Sequence, residues 1–450
     1  MALKDLDLPK TQRAIVYPGR GQAEVREVDV PRFFDDHGPW NVVLRPLAVG
    51  RCPSDTASCE EEFPPGFRLP SAYQPVVPGH EQVVEVVGAS EAARRSGVEV
   101  GGWCVYDINI GCGEPDCYPC FVQKRPGIDC SKGTLFQGIG AADESWVLRQ
   151  TGLRHVPGSY VYDPVERRGG IMVGRHTQLH PLDRSRLRGE AELAVLTQAD
   201  ALACAFMAIR GVAKLHAWEE GFRPALFLIG GGGRIAYWLA EAALAERGRD
   251  GVDLFLADVD ADRLAMTAER LGLPQGNTYL VDPDDPDAFS TAAIRRGLAN
   301  LEKGRAFNLI LDAAGHKYVG AAATNRMFLE KVLDRNGTYI TTAHGGIPGL
   351  DVATFEVVFA NQRFAGALSP HRYIPRAIAY LQANISRYAP HMVITHRELD
   401  DSLAQKVRIA GKDPDIGRGA NTYIAMWHRD PRWAAAGAPP QTAGAGPPGR

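Results

Sequence analysis

The chain has 450 residues, 45% hydrophobic and 23% charged, with a formal net charge of -3. That balance fits a soluble globular enzyme of about two or three domains and gives no global pull towards nucleic acid or a membrane surface. Charges within Met1-Ala2-Leu3-Lys4-Asp5-Leu6-Asp7 stand where a signal peptide needs an apolar run, and the apolar stretch Ala225-Leu226-Phe227-Leu228-Ile229 is too short to cross a bilayer, so a cytoplasmic location is expected.

The first part of the chain reads as short β segments. Arg13–Tyr17, Asn41–Arg45 and Gln82–Val87 carry β-branched residues between Gly and Pro punctuation. Of the eight cysteines, Cys112, Cys117, Cys120 and Cys130 crowd one Gly/Pro-rich loop. In a reducing compartment such a cluster points to metal rather than disulfides. Four thiolates can close a tetrahedral structural zinc site, and Cys117 and Cys120 have knuckle spacing; the alternative is a set of unrelated thiols. Upstream, Cys52-Pro53-Ser54-Asp55 and Gly79-His80-Glu81 supply thiolate, imidazole and carboxylate, the donors of an open zinc site. Taken singly, His80 reads equally as a core histidine and Cys52 as a small buried residue.

From Ala225 onwards strands and helices alternate. Ala225–Ile229, Asp253–Ala257, Phe307–Leu311 and Thr338–Thr342 read as strands. Arg234–Glu246 and Asp262–Leu271 read as helices. The order implies a doubly wound parallel sheet covered by helices, an α/β Rossmann unit. Gly231, Gly233 and Ala236 fit Gly-x-Gly-x-x-Ala between the first strand and its helix. The first small residue allows the tight turn, the second admits a pyrophosphate, and the third lets helix and strand pack closely. Asp258 ends the next strand, 22 positions after Ala236. A carboxylate there accepts from the ribose hydroxyls and repels a 2′-phosphate, which favours NAD over NADP; read blandly, it is a solvated loop acid. Arg234, a cation beside the phosphates, would pull that preference the other way. Tyr373–Ser386 reads as a further helix, and the Ala/Gly/Pro-rich end as a disordered tail.

The order of these motifs resembles the zinc-containing medium-chain alcohol dehydrogenases, most closely the polyol, sugar and threonine dehydrogenase branches. The resemblance runs from about residue 12 to 430, and includes Ala257-Asp258-Val259-Asp260-Ala261-Asp262-Arg263-Leu264 and Leu311-Asp312-Ala313-Ala314-Gly315. It implies a GroES-like, mostly β catalytic domain over 1–200 with the zinc lobe at 104–132, a Rossmann domain over 201–365, a return to the catalytic domain over 366–432, and a tail over 433–450. It also implies NAD(H), one catalytic and one structural zinc ion, and a homodimer or homotetramer. By it, Cys52 and His80 hold the catalytic zinc, and Asp200 matches the third-ligand position. Glu81 lies beside the metal, Ser54 relays the proton, and Arg263 joins the cofactor residues. The gaps of four, two and nine residues between the lobe cysteines are wider than the family's usual spacing, and Pro53 replaces its glycine. Residues 151–190 are longer than the family needs. That insertion carries Arg167, Arg168, Arg175, His176 and His180 and is expected to be a solvated loop, the alternatives being a lining of the substrate entrance or an oligomer contact.

The expected activity is hydride transfer between NAD(H) and a secondary alcohol or ketone, a polyol, sugar, cyclitol or amino alcohol. The alternatives are a zinc-independent NADPH reductase of the same superfamily, a redox-neutral enzyme that retains NAD, and a non-enzymatic nucleotide-binding protein. Metal analysis, a cofactor comparison and net NADH accumulation separate them.

Overall fold

The computed structural model describes residues 3–32, 34, 36, 40–60, 76–110, 116–122, 135–136, 157–282, 297, 299, 301, 305–314, 332–342, 361–367, 371–409 and 423–428. Cys112, Cys130, Gly315 and the 433–450 tail lie outside them.

Six strands form a parallel sheet in the order Thr278–Leu280, Asp253–Asp258, Ala225–Ile229, Phe307–Asp312, Leu333–Thr341, Arg363–Gly366. The central strands are continuously buried rather than alternating, as a sheet covered on both faces requires: Ala225–Ile229 and Phe307–Asp312 throughout, and Asp253–Asp258 at all but its first residue. The Arg234–Arg247 helix follows its first strand, and the Ala261–Leu271 helix follows the second. Asp260 caps the latter by accepting from Arg263 N at 3.0 Å, and Gly272 ends it in the left-handed region at φ 61°.

The other half is β-rich. A mixed sheet runs in the order Leu179–Pro181, Trp103–Tyr106, Glu81–Ala89, Val42–Gly50, Tyr423–Met426, Val393–His396, and Met172–Gly174 also pairs with Val42–Gly50. The two strands after residue 390 therefore return to the sheet begun by the first hundred residues. A smaller antiparallel sheet joins Gln22–Asp29, Thr11–Gly19, Val161–Asp163 and Arg168–Gly169.

The expectation for the insertion is corrected by these pairings. Its described part, 157–190, contributes four short strands between turns, two to each sheet, and Tyr160-Val161-Tyr162 and Ile171-Met172-Val173 are apolar, strand-forming runs with buried side chains. Arg175 is itself buried, with its guanidinium 4.7 Å from the centre of the Trp40 ring. Arg167 and Arg168 remain on the surface.

Helical chain from Glu190 to Val212 links the halves. By length and composition it is apolar enough to cross a membrane, yet 83% of that window is buried within the protein. It is apolar all round because it packs on all sides. One continuous core runs from Leu47, Val83 and Trp103 of the mixed sheet, through Leu202 and Phe206, to Leu226 and Leu309 of the parallel sheet. Burying a side chain such as Leu202 stabilises by about 1.5–3 kcal/mol.

Candidate active site and metal centre

Strand Val42–Gly50 delivers the chain to Cys52, and the Pro53–Glu60 helix begins at once. Asp55, in the first turn of that helix, is fully buried. Its Oδ2 accepts from the Cys52 amide at 3.1 Å, and its Oδ1 from the Gly79 amide at 3.2 Å and from His80 Nδ1 at 3.1 Å. One carboxylate therefore fixes both chain segments that carry the donors. Gly79 has φ 102°, and a Cβ there would stand 2.6 Å from Ser159 Oγ, so only glycine turns His80 inward at this point.

Cys52, His80 and Glu81 each bring one donor atom within 4.8 Å of the other two. Burial alone would push the His80 imidazole down, but the Asp55 carboxylate and the neighbouring Cys52 side chain outweigh it and hold it well above its usual value. The same negative surroundings favour a cation, which would displace the proton from the imidazole. Thiolate, imidazole and carboxylate in this arrangement fit a divalent zinc ion, with Asp55 in the orienting role behind the histidine. Asp55 stands in the Cys52–Asp55 motif, but no role was read for it; the signal was an acid three residues after a candidate ligand. Ser54 Oγ lies 3.4 Å from Cys52 Sγ.

Asp200, at the start of the Ala199–Phe206 helix, is not part of the close trio but lies within reach of its charges. Burial pushes its carboxyl up to about 7; Glu81 and Asp107 add to the rise, and His80 and Arg234 oppose it. One helical turn further on, Cys204 faces the same groups. Burial first, then the charges of Asp200, Cys52 and Glu81, hold its thiol well above the usual range. Nothing in the sequence pattern singled out Cys204.

Glu81 is not free beside the metal position. Arg234 donates from Nη1 to Oε2 at 2.5 Å and from Nη2 to Oε1 at 2.6 Å, with side chains 4% and 1% exposed. Arg234 also reaches Gln198 Oε1 at 3.3 Å. The expectation that Arg234 stands at the phosphates is thereby corrected: its guanidinium is drawn into the core by a buried carboxylate that needs a cation.

The glycine turn sits at the carboxyl end of Ala225–Ile229. The positive φ of 74° falls on Gly230, so the tight turn lies one residue before Gly231. Gly231 instead donates to Ala257 O at 2.8 Å, and a Cβ on it would stand 2.6 Å from Leu256 Cβ. Gly233 is the N-cap of the Arg234–Arg247 helix, and Ala236 is fully buried against the sheet. Asp258 Oδ2 accepts from the Gly232 amide at 2.8 Å, and its Oδ1 from the Asp260 amide at 3.0 Å. Arg263 pairs with Asp260, Nε to Oδ2 at 3.2 Å. Of the lobe cysteines, Cys117 is buried and Cys120 half-buried on one turn; Cys112 and Cys130 fall outside the described residues.

No protein-family model matches the chain. The D-altritol 5-dehydrogenase of Agrobacterium fabrum (strain C58 / ATCC 33970) is 25% identical over 373 residues, 82% of this chain and 88% of that protein. The crystal structure of L-idonate 5-dehydrogenase from Escherichia coli str. K-12 substr. MG1655 superposes with a TM-score of 0.65 at 16% identity, covering 92% of this chain and 98% of that one. The chain has the fold of the medium-chain alcohol dehydrogenases. An alcohol dehydrogenase (rspB) from E. coli CFT073, complexed with NADH, matches with a TM-score of 0.66 at 16% identity over 93% of this chain and 100% of that one. In this fold the Cys52–His80 pair belongs to the β-rich half and the glycine turn to the parallel half, and the ion pair Glu81–Arg234 joins them.

Proposed function

We propose that the chain is a zinc-dependent alcohol or polyol dehydrogenase that uses NAD(H) and acts on a secondary alcohol or ketone in the cytoplasm. Its domains would follow the 1–200, 201–365 and 366–432 division expected above. The observation that carries the reading is the contact between Arg234 and Glu81. Arg234 is the first residue of the helix after the glycine turn, and Glu81 adjoins His80. A cation held by Cys52 and His80 would therefore stand close to the loop that would receive a dinucleotide pyrophosphate.

Cys52 and His80 would hold the zinc ion, with Asp200 supplying a third ligand and Glu81 a neighbouring charge. Bound there, zinc polarises the substrate oxygen and lowers the pKa of its hydroxyl. Asp55 keeps the His80 ring oriented, accepting from Nδ1 and leaving Nε2 to face the donors. Ser54, beside Cys52 Sγ, accepts the proton released by the substrate hydroxyl and passes it towards solvent. The glycine turn and the helix amides would hold and orient a dinucleotide, which would supply the hydride acceptor. Asp258, already steering the Gly232 amide, presents carboxylate charge where a 2′-phosphate would otherwise sit, which favours NAD. The removal of Arg234 from the phosphates supports the same preference. The altritol-acting relative supports a polyol or sugar alcohol substrate. Cys112, Cys117, Cys120 and Cys130 would hold a second, structural zinc ion. A homodimer or homotetramer is the expected assembly, with no nucleic-acid or membrane partner.

The test is a panel of polyols, sugars, cyclitols, amino alcohols and their ketones with NAD(H) and NADP(H), followed at the nicotinamide absorbance. Cys52→Ala and His80→Ala should abolish turnover while NADH binding survives. Full activity in either variant would remove the metal from the mechanism.

A further inference from the structure

A second group of metal-type donors shares no residue with Cys52, His80 and Glu81, and its Asp107 lies close enough for its charge to reach Asp200. Asp107 follows strand Trp103–Tyr106. His180 is the middle residue of the neighbouring strand Leu179–Pro181 and pairs with Val105. His371 opens the short His371–Tyr373 turn, 264 residues from Asp107 along the chain. One donor atom from each lies within 4.8 Å of the other two.

The surroundings resemble a prepared ligand set more than a chance meeting. Asp107 is 1% exposed, and its Oδ1 accepts from the backbone amide of Asn109 at 2.9 Å and from the Asn109 side chain at 2.6 Å. Those bonds fix the carboxylate and leave Oδ2 against His371 Nδ1. His180 Nε2 is buried with no hydrogen-bond partner among the described residues. Its ring centre stands 6.1 Å from that of His371. An orphaned buried nitrogen beside a buried carboxylate is costly, on the order of 1–3 kcal/mol for the nitrogen alone. A cation between them would satisfy both groups. Burial keeps the His180 imidazole below its usual pKa, hence neutral and able to donate its lone pair.

We propose that Asp107, His180 and His371 form a second divalent-metal site, built from donors other than those of the Cys52 centre, that takes a transition ion of the zinc type. Two imidazoles and one carboxylate suit such an ion and leave coordination positions for water. Asn109 plays the part of the outer residue that orients a ligand carboxylate. Bound there, the ion ties the edge of the mixed sheet to the turn that enters the Ile374–Ala383 helix, and so closes the long excursion through the parallel sheet.

The experiment uses the full-length protein, zinc alone as the probe, and metal content per chain measured after equilibrium dialysis. His180→Ala and His371→Gln should each hold one zinc equivalent fewer than the unmodified protein, whereas Cys52→Ser should keep that equivalent. The count is read without turnover, so the site fails or stands apart from the dehydrogenase reading. His371 is partly exposed, at 19%, on a short turn, which makes its variant the one suited to folding, checked by circular dichroism. In a second measurement zinc should raise the thermal midpoint of Cys52→Ser more than that of Cys52→Ser/His371→Gln. Equal zinc content in folded His371→Gln and the unmodified protein, or equal zinc-induced shifts in the two Cys52 variants, would overturn the proposal. Either result would leave the trio as a hydrogen-bonded cluster that only supports the fold.

Discussion

Replacing Arg234 by Met tests the joint between the two halves. The guanidinium makes two charge-assisted bonds to Glu81, at 2.5 and 2.6 Å, and both side chains are almost wholly out of water. Met keeps most of the apolar stem and removes the charge, so Glu81 is left buried without its partner. Breaking such a pair from one side costs about 3–5 kcal/mol, most of it the desolvation of the survivor. With a urea slope on the order of 3 kcal/mol/M for a chain of this size, the unfolding midpoint should fall by roughly 1–1.7 M. Glu81→Gln in the same background removes the stranded charge and should recover more than half of the loss, and the four proteins together form a double-mutant cycle. NADH and NADPH affinities give a separate readout. Because Arg234 points at Glu81, both should change by a similar factor. A stability loss below about 1 kcal/mol, well under the buried-pair range, would refute the idea that this contact holds the halves together. A selective collapse of NADPH affinity would show instead that Arg234 reads the 2′-phosphate.

Two further substitutions probe the metal and nucleotide positions. Asp55→Asn keeps the shape but weakens the acceptor behind His80 Nδ1. Zinc affinity, measured by competition with a chelator, should drop about 10–100-fold, and unchanged affinity would deny Asp55 its orienting role. Asp258→Ser removes the carboxylate that faces the ribose position while retaining a hydrogen-bonding side chain near the Gly232 amide. The ratio of kcat/KM for NADP to that for NAD should rise by about 10-fold or more, equivalent to about 1.4 kcal/mol of relieved repulsion; a constant ratio would mean that the discrimination lies elsewhere.

What the sequence disclosed, and what it hid, divides along the distance between partners. The parallel half was legible because each strand is a short buried apolar run followed at once by a helical repeat, as in Ala225–Ile229 and Arg234–Arg247; both signals are local. The Tyr373–Ser386 expectation was nearly met. The helix spans Ile374–Ala383 and a separate turn, Ile385–Tyr388, continues after Asn384, because Asn384 takes a non-helical conformation there. The insertion was misjudged because its strands are only two or three residues long, too short to show alternation, and are stabilised by sheets built from other parts of the chain. Cys52 and His80 were legible as residue types, but their approach depends on Asp55 bonding across 24 and 25 positions to Gly79 and His80. Arg234 shows the same limit more sharply. Read locally, a cation at a helix N-terminus beside a glycine turn belongs with phosphate. The deciding term is a carboxylate 153 residues away that has no other cation in contact with both its oxygens among the described residues. Desolvation makes that term larger than any local preference, so the side chain follows the buried charge. Periodicity reports which residues face a core; it does not report which buried charge they meet there, and in this chain those meetings bring the candidate metal centre and the nucleotide turn together.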